Sequence, residues 1–137
     1  GLKATLYDGS YHPVDSSEMA FKVAASIAYK KGLEAAQPIL LEPIMSVQIL
    51  VPDNYMGDVM GDINKRRGRV IGMEPEGKLQ RISAEIPMGE MFTYATDLRS
   101  MTQARGSYFS EFLRYEEVPA SEVSKILEES KKLKAEA

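Results

Sequence analysis

Two patterns of hydrophobic and polar residues follow each other at the start of the chain. Residues 2–6 alternate between apolar and polar side chains, which predicts a half-buried strand before the Asp8-Gly9 turn signal. Residues 16–36 carry apolar and small side chains at helical spacing, which predicts a helix with one broad apolar face. Asp15 and Glu18 have the spacing of a capping box, so we expect this helix to begin beside Asp15.

A second pattern follows a connection at residues 38–43 that contains two prolines. Its order of strand, helix, strand, strand, helix, strand predicts an α+β fold, the ferredoxin-like βαββαβ sandwich. We expect Asp53 to cap the first helix, and Gly57 and Gly61 to bring that helix close to the sheet. The sparse apolar residues at helical spacing in 119–137 predict a thin amphipathic helix or tail. The apolar stripes expected to face the sheet are Met56, Val59, Met60 and Ile63 in the first helix and Met91, Tyr94, Ala95, Leu98, Met101 and Thr102 in the second.

Polar groups suited to RNA lie off the apolar stripe at the end of the second helix. Arg99 and Arg105 supply cations, while Ser100 and Gln103 supply a hydroxyl and an amide, and Gly106 is expected to stop the helix. These groups on one exposed helix end suit a phosphate backbone better than a metal or an acyl group. The alternative is an ordinary solvated helix face.

A second candidate is the run of cations formed by Lys65, Arg66, Arg67 and Arg69. The helix macrodipole favours Lys and Arg in a last helical turn, so part of this run needs no ligand. Four cations in so short a stretch exceed what capping requires. The run is therefore a second candidate for phosphate contacts.

A third candidate is the loop of Ser10, Tyr11 and His12 near the start of the chain. The two rings are of a kind that stacks on nucleotides or donates hydrogen bonds to them. A solvated loop is the alternative. His12 is also the one residue that could serve a Ser-His-Asp set, but its polar neighbours are explained as turn and cap residues.

Composition narrows the classes of function. A net charge of −3 argues against a generic polyanion binder, so RNA is expected to bind only at local patches. The absence of cysteine excludes disulfides, thiolate metal sites and cysteine nucleophiles. The sequence has no glycine-rich phosphate loop between a strand and a helix, and no apolar run near the roughly 20 residues of a membrane span. We therefore expect no catalytic residues, cofactor, metal or membrane contact in this chain.

Several segments, taken in order, resemble one protein family. They are residues 8–21 (DGSYHPVDSSEMAF), 40–45 (LLEPIM), 55–62 (YMGDVMGD), 66–68 (RRG), 72–75 (GMEP) and 90–100 (EMFTYATDLRS). Together they resemble the C-terminal part of bacterial translation elongation factor G. The resemblance implies that residues 1–43 are the end of domain IV, a strand-helix remnant of a ribosomal-protein-S5-like βα domain. It implies that residues 44–118 are the ferredoxin-like domain V and residues 119–137 a C-terminal tail.

The family resemblance also implies a partner, the ribosome. Members are multi-domain GTPases that promote the movement of tRNA and mRNA. By motif match, Ser10, Tyr11 and His12 would lie at the tip of domain IV in the decoding region of the small subunit. The segment from Arg99 to Arg105 would face large-subunit rRNA near the sarcin–ricin loop.

The resemblance has further implications for activity and location. GTP and magnesium would bind a GTPase domain that this sequence lacks, so we expect a fragment that is not itself an enzyme, from a cytoplasmic protein. The apolar face of the helix at residues 16–36 would then be exposed or covered by another copy. Two alternatives stay open: a ribosomal protection or recycling paralogue, and a free-standing ferredoxin-like domain that binds a small molecule.

Overall fold

The computed structural model of the protein describes residues 2–136. Contacts divide the chain into two units, Gly1–Pro38 and Ile39–Ala137, and each is described by itself. The first unit contains one helix, α1 (Glu18–Ala35), and no strand within its described residues. The expected strand at residues 2–6 is not formed, and Leu2 and Leu6 are 73% and 93% exposed. Alternation shows which face of a strand would be buried, but a strand also needs a hydrogen-bonded neighbour, and this unit supplies none within those residues.

The start of α1 differs from the expected capping box. Ser17 is the N-cap residue, and its hydroxyl accepts a hydrogen bond from the Ala20 N–H at 3.1 Å. The role assigned to Asp15 is therefore wrong, because Asp15 belongs to the turn before the helix. No residue of α1 is buried, so its apolar face is uncovered in this structure.

The second unit confirms the expected ferredoxin-like order. Its four strands form one antiparallel sheet in the order β2-β3-β1-β4. Two helices connect β1 to β2 and β3 to β4, and each follows a short 3-10 turn. The elements are β1 (Leu41–Pro52), the turn Asp53–Tyr55, α2 (Met56–Lys65), β2 (Arg69–Glu76), β3 (Leu79–Pro87), the turn Met88–Glu90, α3 (Tyr94–Met101), β4 (Ser107–Glu117) and α4 (Ala120–Glu136).

The core lies between α2, α3 and one face of the sheet. Every second residue of the strands points into this core from the sheet, and the apolar stripes of the two helices pack against those residues. Three expectations about the helices are wrong. Ala95, expected in the buried stripe of α3, is exposed. Gly57 and Gly61 face solvent, and no neighbouring atom lies within 4 Å of where a Cβ would be, so these two glycines bring α2 no closer to the sheet. The buried core residues are Val47, Ile49, Val51, Val59, Ile63, Ile82, Ala84, Ile86, Tyr94 and Leu98.

Strand β1 begins earlier than the expected connection at residues 38–43 would allow. Leu41 to Pro43 pair with β4, whereas pairing with β3 starts only at Ile44. Pro43 therefore lies where β1 has a neighbour on one side only, which is where a strand tolerates proline. Asp53 is likewise not a helix cap, because it begins the 3-10 turn that precedes α2.

Helix α2 ends in a Schellman motif. The Gly68 N–H donates to the Ile63 carbonyl at 2.9 Å, and the Arg67 N–H donates to the Asn64 carbonyl at 3.2 Å. The left-handed position of the motif is held by Arg67, with φ of 57°, and not by the glycine. Gly68 is required for a different reason: a Cβ there would lie 2.9 Å from the Ile63 carbonyl oxygen and 2.9 Å from Ile86 Cγ1.

The two halves of the sheet repeat each other in sequence as well as in fold. Each half has a proline at the end of a strand, then a methionine, a buried residue, an aspartate and a second buried residue at identical spacing. The paired positions are Pro52 and Pro87, Met56 and Met91, Val59 and Tyr94, Asp62 and Asp97, and Ile63 and Leu98. The repeat puts the two aspartates at corresponding places on α2 and α3.

The close packing at Gly68 gives a direct test of the fold. Gly68→Ala should destabilise the protein by about 1–3 kcal/mol, because the added methyl meets backbone and core atoms that cannot move aside. Gly61→Ala is the matched control and should instead stabilise by up to about 1 kcal/mol, since its site is open and helical. Urea unfolding of the two variants measures both effects, and equal stabilities would contradict the close approach.

Candidate nucleic-acid interface

The polar cluster at the end of α3 lies on an exposed turn. Arg99, Ser100, Gln103 and Arg105 are all exposed. Gln103 and Ala104 have φ values of 51° and 63°, and the Arg105 N–H donates to the Thr102 carbonyl at 3.0 Å. Two successive residues with positive φ inside such a hydrogen bond define a type I′ turn, a conformation that normally uses Asn or Gly.

The side chain of Thr102 forms hydrogen bonds to residues on both sides of this turn. It is fully buried, its hydroxyl donates to the Leu98 carbonyl at 2.7 Å, and the same oxygen accepts from the Gly106 N–H at 2.9 Å. A Cβ on Gly106 would lie 2.8 Å from that oxygen, so the site requires glycine. Gly106 does not stop the helix as expected, because α3 already ends at Met101. The turn is therefore fixed at both ends although its middle residues are strained, at about 1–2 kcal/mol each.

Arg99 and Arg105 differ from the other arginines of the chain. Within residues 2–136, neither forms an ion pair, whereas every other arginine contacts a carboxylate. A guanidinium without an internal partner keeps all its donors for a ligand, and its planar fork matches a phosphate. The turn can therefore offer two cations, a hydroxyl and an amide to an anionic partner.

The cationic run at the end of α2 has a different arrangement. Arg66 is 9% exposed, and its guanidinium donates to Asp62 at 2.7 Å, to the Glu90 carbonyl at 2.6 Å and to Asp97. It also lies over the Tyr94 ring, with Cζ 5.0 Å from the centroid. A guanidinium with these four contacts has little left to offer a phosphate, so its geometry favours a structural role.

The guanidinium of Arg67 is likewise occupied by carboxylates of the same unit. It forms a two-pronged pair with Glu42, at 2.8 Å and 2.9 Å, and a longer contact of 3.3 Å with Glu90. The two-pronged hydrogen bond to Glu42 is the main cause that raises the pKa of Arg67. Lys65, in contrast, is exposed and has no ion pair in the described part of the chain. Of the four cations in the run, Lys65 is thus the one that forms no ion pair with a described residue.

Arg69 belongs to a charge network on the face of the sheet opposite the helices. Its guanidinium donates to Glu85 at 2.6 Å, and Arg114 on β4 reaches across β1 to the same carboxylate at 2.7 Å and 3.1 Å. The hydrogen bonds from Arg114, and then the one from Arg69, lower the pKa of Glu85 from 4.5 to about 2. Sequence reasoning missed this network because its members lie on three separate strands.

The loop of Ser10, Tyr11 and His12 is closed at its base. The His12 N–H donates to the Ser16 hydroxyl at 2.8 Å, and the Ser16 N–H donates back to the His12 carbonyl at 2.9 Å. This reciprocal pair fixes the turn at residues 13–15, while the side chains of Tyr11 and His12 remain exposed. The loop presents its rings on a backbone that is hydrogen-bonded locally.

Tyr94 was expected only as an apolar residue of the α3 stripe. It is completely buried, and its ring packs edge-on against Tyr108 with centroids 4.9 Å apart. Its hydroxyl has no hydrogen-bond partner among the described residues, and burial raises its pKa. The neighbouring Asp97 has a lowered pKa, caused first by a hydrogen bond from Thr93 and then by Arg66.

A metal site and a membrane-spanning helix find no support in the described residues. Between residues 2 and 136, no three His, Cys, Asp or Glu side chains are grouped so that they could hold a metal ion. Over the same residues, no helix combines the length and apolar character needed to cross a bilayer. A charged groove beside β1 is lined by Glu42, Arg67, Arg69 and Glu85, whose charges are already paired with one another or with neighbours.

Comparison with known proteins gives two family matches and a similar solved structure. Residues 1–37 match the family model described as elongation factor G, domain IV, and residues 39–126 match that of the elongation factor G C-terminus. A solved structure from Thermus thermophilus is 45% identical, with a TM-score of 0.75. The similarity covers 92% of this chain and 19% of that one, so the chain spans about a fifth of its length.

The contacts of Arg66 predict that it stabilises the fold. Arg66→Met should cost about 3 kcal/mol of unfolding free energy, because Asp62 and Asp97 would be left without their shared cation. Lys65→Met is the matched control and should change stability by less than about 0.5 kcal/mol, since its side chain is exposed. Chemical unfolding measures both, and a tolerated Arg66→Met would show that the ion pairs contribute little.

The lowered pKa of Glu85 predicts a pH dependence of stability. Because its folded pKa of about 2 lies below the usual 4.5, the stabilisation is present above pH 4.5 and is lost as pH falls toward 2. Glu85→Gln should therefore flatten the fall in stability over this interval. Glu111→Gln, which removes an exposed carboxylate without an ion pair in the described residues, is the control and should leave the slope as in the wild type. Thermal unfolding at a series of pH values checks this.

Proposed function

This chain belongs to the elongation factor G family and carries its domain IV and C-terminal regions, and we propose that it is the ribosome-binding part of a translational GTPase that promotes translocation of tRNA and mRNA. It would bind by shape and by phosphate contacts, and not by bond chemistry. The observation that carries the proposal is the exposed turn at the end of α3. Its two arginines are the ones without an ion pair in the described residues.

The α3–β4 turn supports a phosphate-binding role through its rigidity. Left-handed Gln103 and Ala104 cost free energy, and the buried hydroxyl of Thr102 offsets that cost by holding both ends. A site whose backbone is fixed before binding loses less entropy on association. We assign Arg99, Ser100, Gln103 and Arg105 to large-subunit rRNA near the sarcin–ricin loop, with Lys65 as a further candidate contact.

The three arginines at the end of α2 are not the main rRNA contacts in this proposal. They are Arg66, Arg67 and Arg69. Their guanidiniums form ion pairs with Asp62, Glu42 and Glu85 within the unit. A phosphate would have to compete with these carboxylates and would leave them unpaired. We therefore propose that these three arginines shape the surface and that rRNA contact falls mainly on the turn.

The first unit would act at a different place on the ribosome. Ser10, Tyr11 and His12 form its exposed loop, and the reciprocal bonds between His12 and Ser16 limit the motion of that loop. Exposed aromatic rings on a fixed turn suit stacking on unpaired nucleotides. We propose that this loop enters the decoding region of the small subunit and occupies space that tRNA leaves.

The full protein is proposed to be a cytoplasmic GTPase, with GTP and magnesium bound by a domain outside these family matches. A ribosomal protection or recycling role within the same family is the second proposal, and the described contacts suit it equally. A free-standing regulatory domain finds less support, because the charges of Glu42, Arg67, Arg69 and Glu85 that line the groove beside β1 already form ion pairs. Family membership likewise favours a ribosomal partner.

Binding to ribosomes is the direct test. We expect the chain to co-sediment with purified ribosomes in a salt-dependent way. Replacing Arg99 and Arg105 together with alanine should weaken binding and lower the log–log salt slope by roughly 0.7–0.9 for each phosphate that is no longer neutralised.

Lys131→Ala with Lys132→Ala is the matched control, because it removes the same charge from exposed positions on α4. This variant should keep the wild-type slope. Equal weakening by both double variants would mean that bulk charge, and not the turn, determines affinity. Wild-type binding that does not depend on salt would contradict the phosphate contacts.

A further inference from the structure

The face of the sheet opposite α2 and α3 is exposed around Gln48 and carries an exposed aromatic ring. Phe109 on β4 is 62% exposed. It pairs with Gln48 in register, and Gln48 neighbours the buried Val47 and Ile49, so Phe109 and Gln48 lie on the outer face. Helix α4 has no buried residue and so does not bury an apolar face of its own against this sheet.

Phe109 is one end of a row without charges. The register continues from Gln48 to Ser83 on β3 and from Ser83 to Gly72 on β2. With strands about 4.8 Å apart, the row spans about 14 Å, which is wide enough for a flat ring to lie on Phe109 and Gln48. Small or polar side chains beside one exposed ring leave room for a planar ligand.

The chemistry of the row suits a nucleobase. The Phe109 ring offers a π face for stacking, which accepts any base. The Gln48 amide and the Ser83 hydroxyl each donate and accept hydrogen bonds, as the edges of bases do. An aliphatic ligand would leave both of these polar groups unused, so a planar ring with polar edges fits better.

The position of the row connects it to the proposed phosphate site. Strand β4 begins at Ser107, directly after the turn, so the backbone from Arg105 to Phe109 can span at most about 13 Å. Glu111 lies further along the same face and is exposed, so it would repel phosphates beyond the ring. The charges therefore favour an RNA backbone that passes on the Arg105 side while its base reaches Phe109.

We propose that Phe109, Gln48 and Ser83 form a docking surface for one unpaired nucleobase of the RNA whose phosphates contact the turn at Arg99 and Arg105. This inference rests on the proposed function and deepens it. It adds recognition of a splayed base to a contact that would otherwise depend on phosphates alone. Stacking of the base on Phe109 adds a contribution to the binding free energy that salt does not screen.

The test uses Phe109→Ala and Phe109→Tyr in ribosome co-sedimentation across a salt series. Phe109→Ala should bind about 5- to 150-fold more weakly with an unchanged salt slope, because it removes stacking and no charge. Phe109→Tyr should bind like the wild type because it keeps the ring, whereas Phe109→Leu should lose most of the affinity while keeping apolar volume. Phe92→Ala, at an aromatic residue that is 84% exposed on the link before α3, is the matched control and should have no effect.

Probing of the rRNA with dimethyl sulfate, which reads adenine and cytosine, and with a carbodiimide, which reads uracil and guanine, identifies the occupant. We expect one unpaired base to be protected by the wild type and Phe109→Tyr, and unprotected with Phe109→Ala and Phe109→Leu. Weaker binding of Phe109→Ala without any change in base reactivity would mean that the row docks a ribosomal protein, and would overturn the inference.

Two other outcomes separate this inference from the proposed function. If Phe109→Ala binds like the wild type while the Arg99 and Arg105 variant binds weakly, the base-docking surface is wrong and the phosphate site stands. If the wild type shows no salt-dependent binding to ribosomes, both proposals fall together.

Discussion

The second unit depends on one buried guanidinium. Arg66 follows the last residue of α2 and touches an aspartate on α2, an aspartate on α3 and the backbone of the turn that precedes α3. Its plane also covers the Tyr94 ring in the core. A buried cation is costly unless its donors are satisfied, so these contacts act as a group. They fix the two helices relative to each other at the end of the sheet where the strands alone would not.

This constraint has its origin in the repeated sequence of the two halves. Asp62 and Asp97 hold the same position in each repeat, and the near-symmetric packing of α2 and α3 brings both to a single arginine. The repeat has no second arginine to match, so the pair of carboxylates shares one cation. The consequence reaches the candidate interface, because α3 leads directly into the exposed turn and its start is tied to α2. A turn can present fixed groups only when the helix before it is itself fixed.

Local patterns in the sequence were sufficient for most of the fold, while distant pairings were not. The alternation of β1 and the stripes of α2 and α3 follow from periodicity, and the exposed groups of the turn follow from lying off the stripe. The pair between Arg67 and Glu42 joins residues 25 positions apart, and no local pattern reports it. Asp62 and Arg66, at helical spacing, could be recognised in the sequence as an ion pair, whereas Asp97 lies 31 positions from Arg66 and no local pattern reports that contact. The strand expected at residues 2–6 failed because pairing is a property of neighbours and not of the strand itself.

The division of the arginines explains how an acidic chain can have a specific anionic partner. With a net charge of −3, the protein attracts RNA weakly from a distance, so binding must come from a few groups held in place. Carboxylates neutralise five of the arginines within the unit, which leaves the charge of Arg99 and Arg105 unopposed at one turn among the described residues. Internal pairing therefore does two things: it stabilises the sheet and helices, and it removes competing guanidinium groups from the rest of the surface. Specificity on such a surface arises as much from the arginines whose charge is neutralised as from the two arginines whose charge is not.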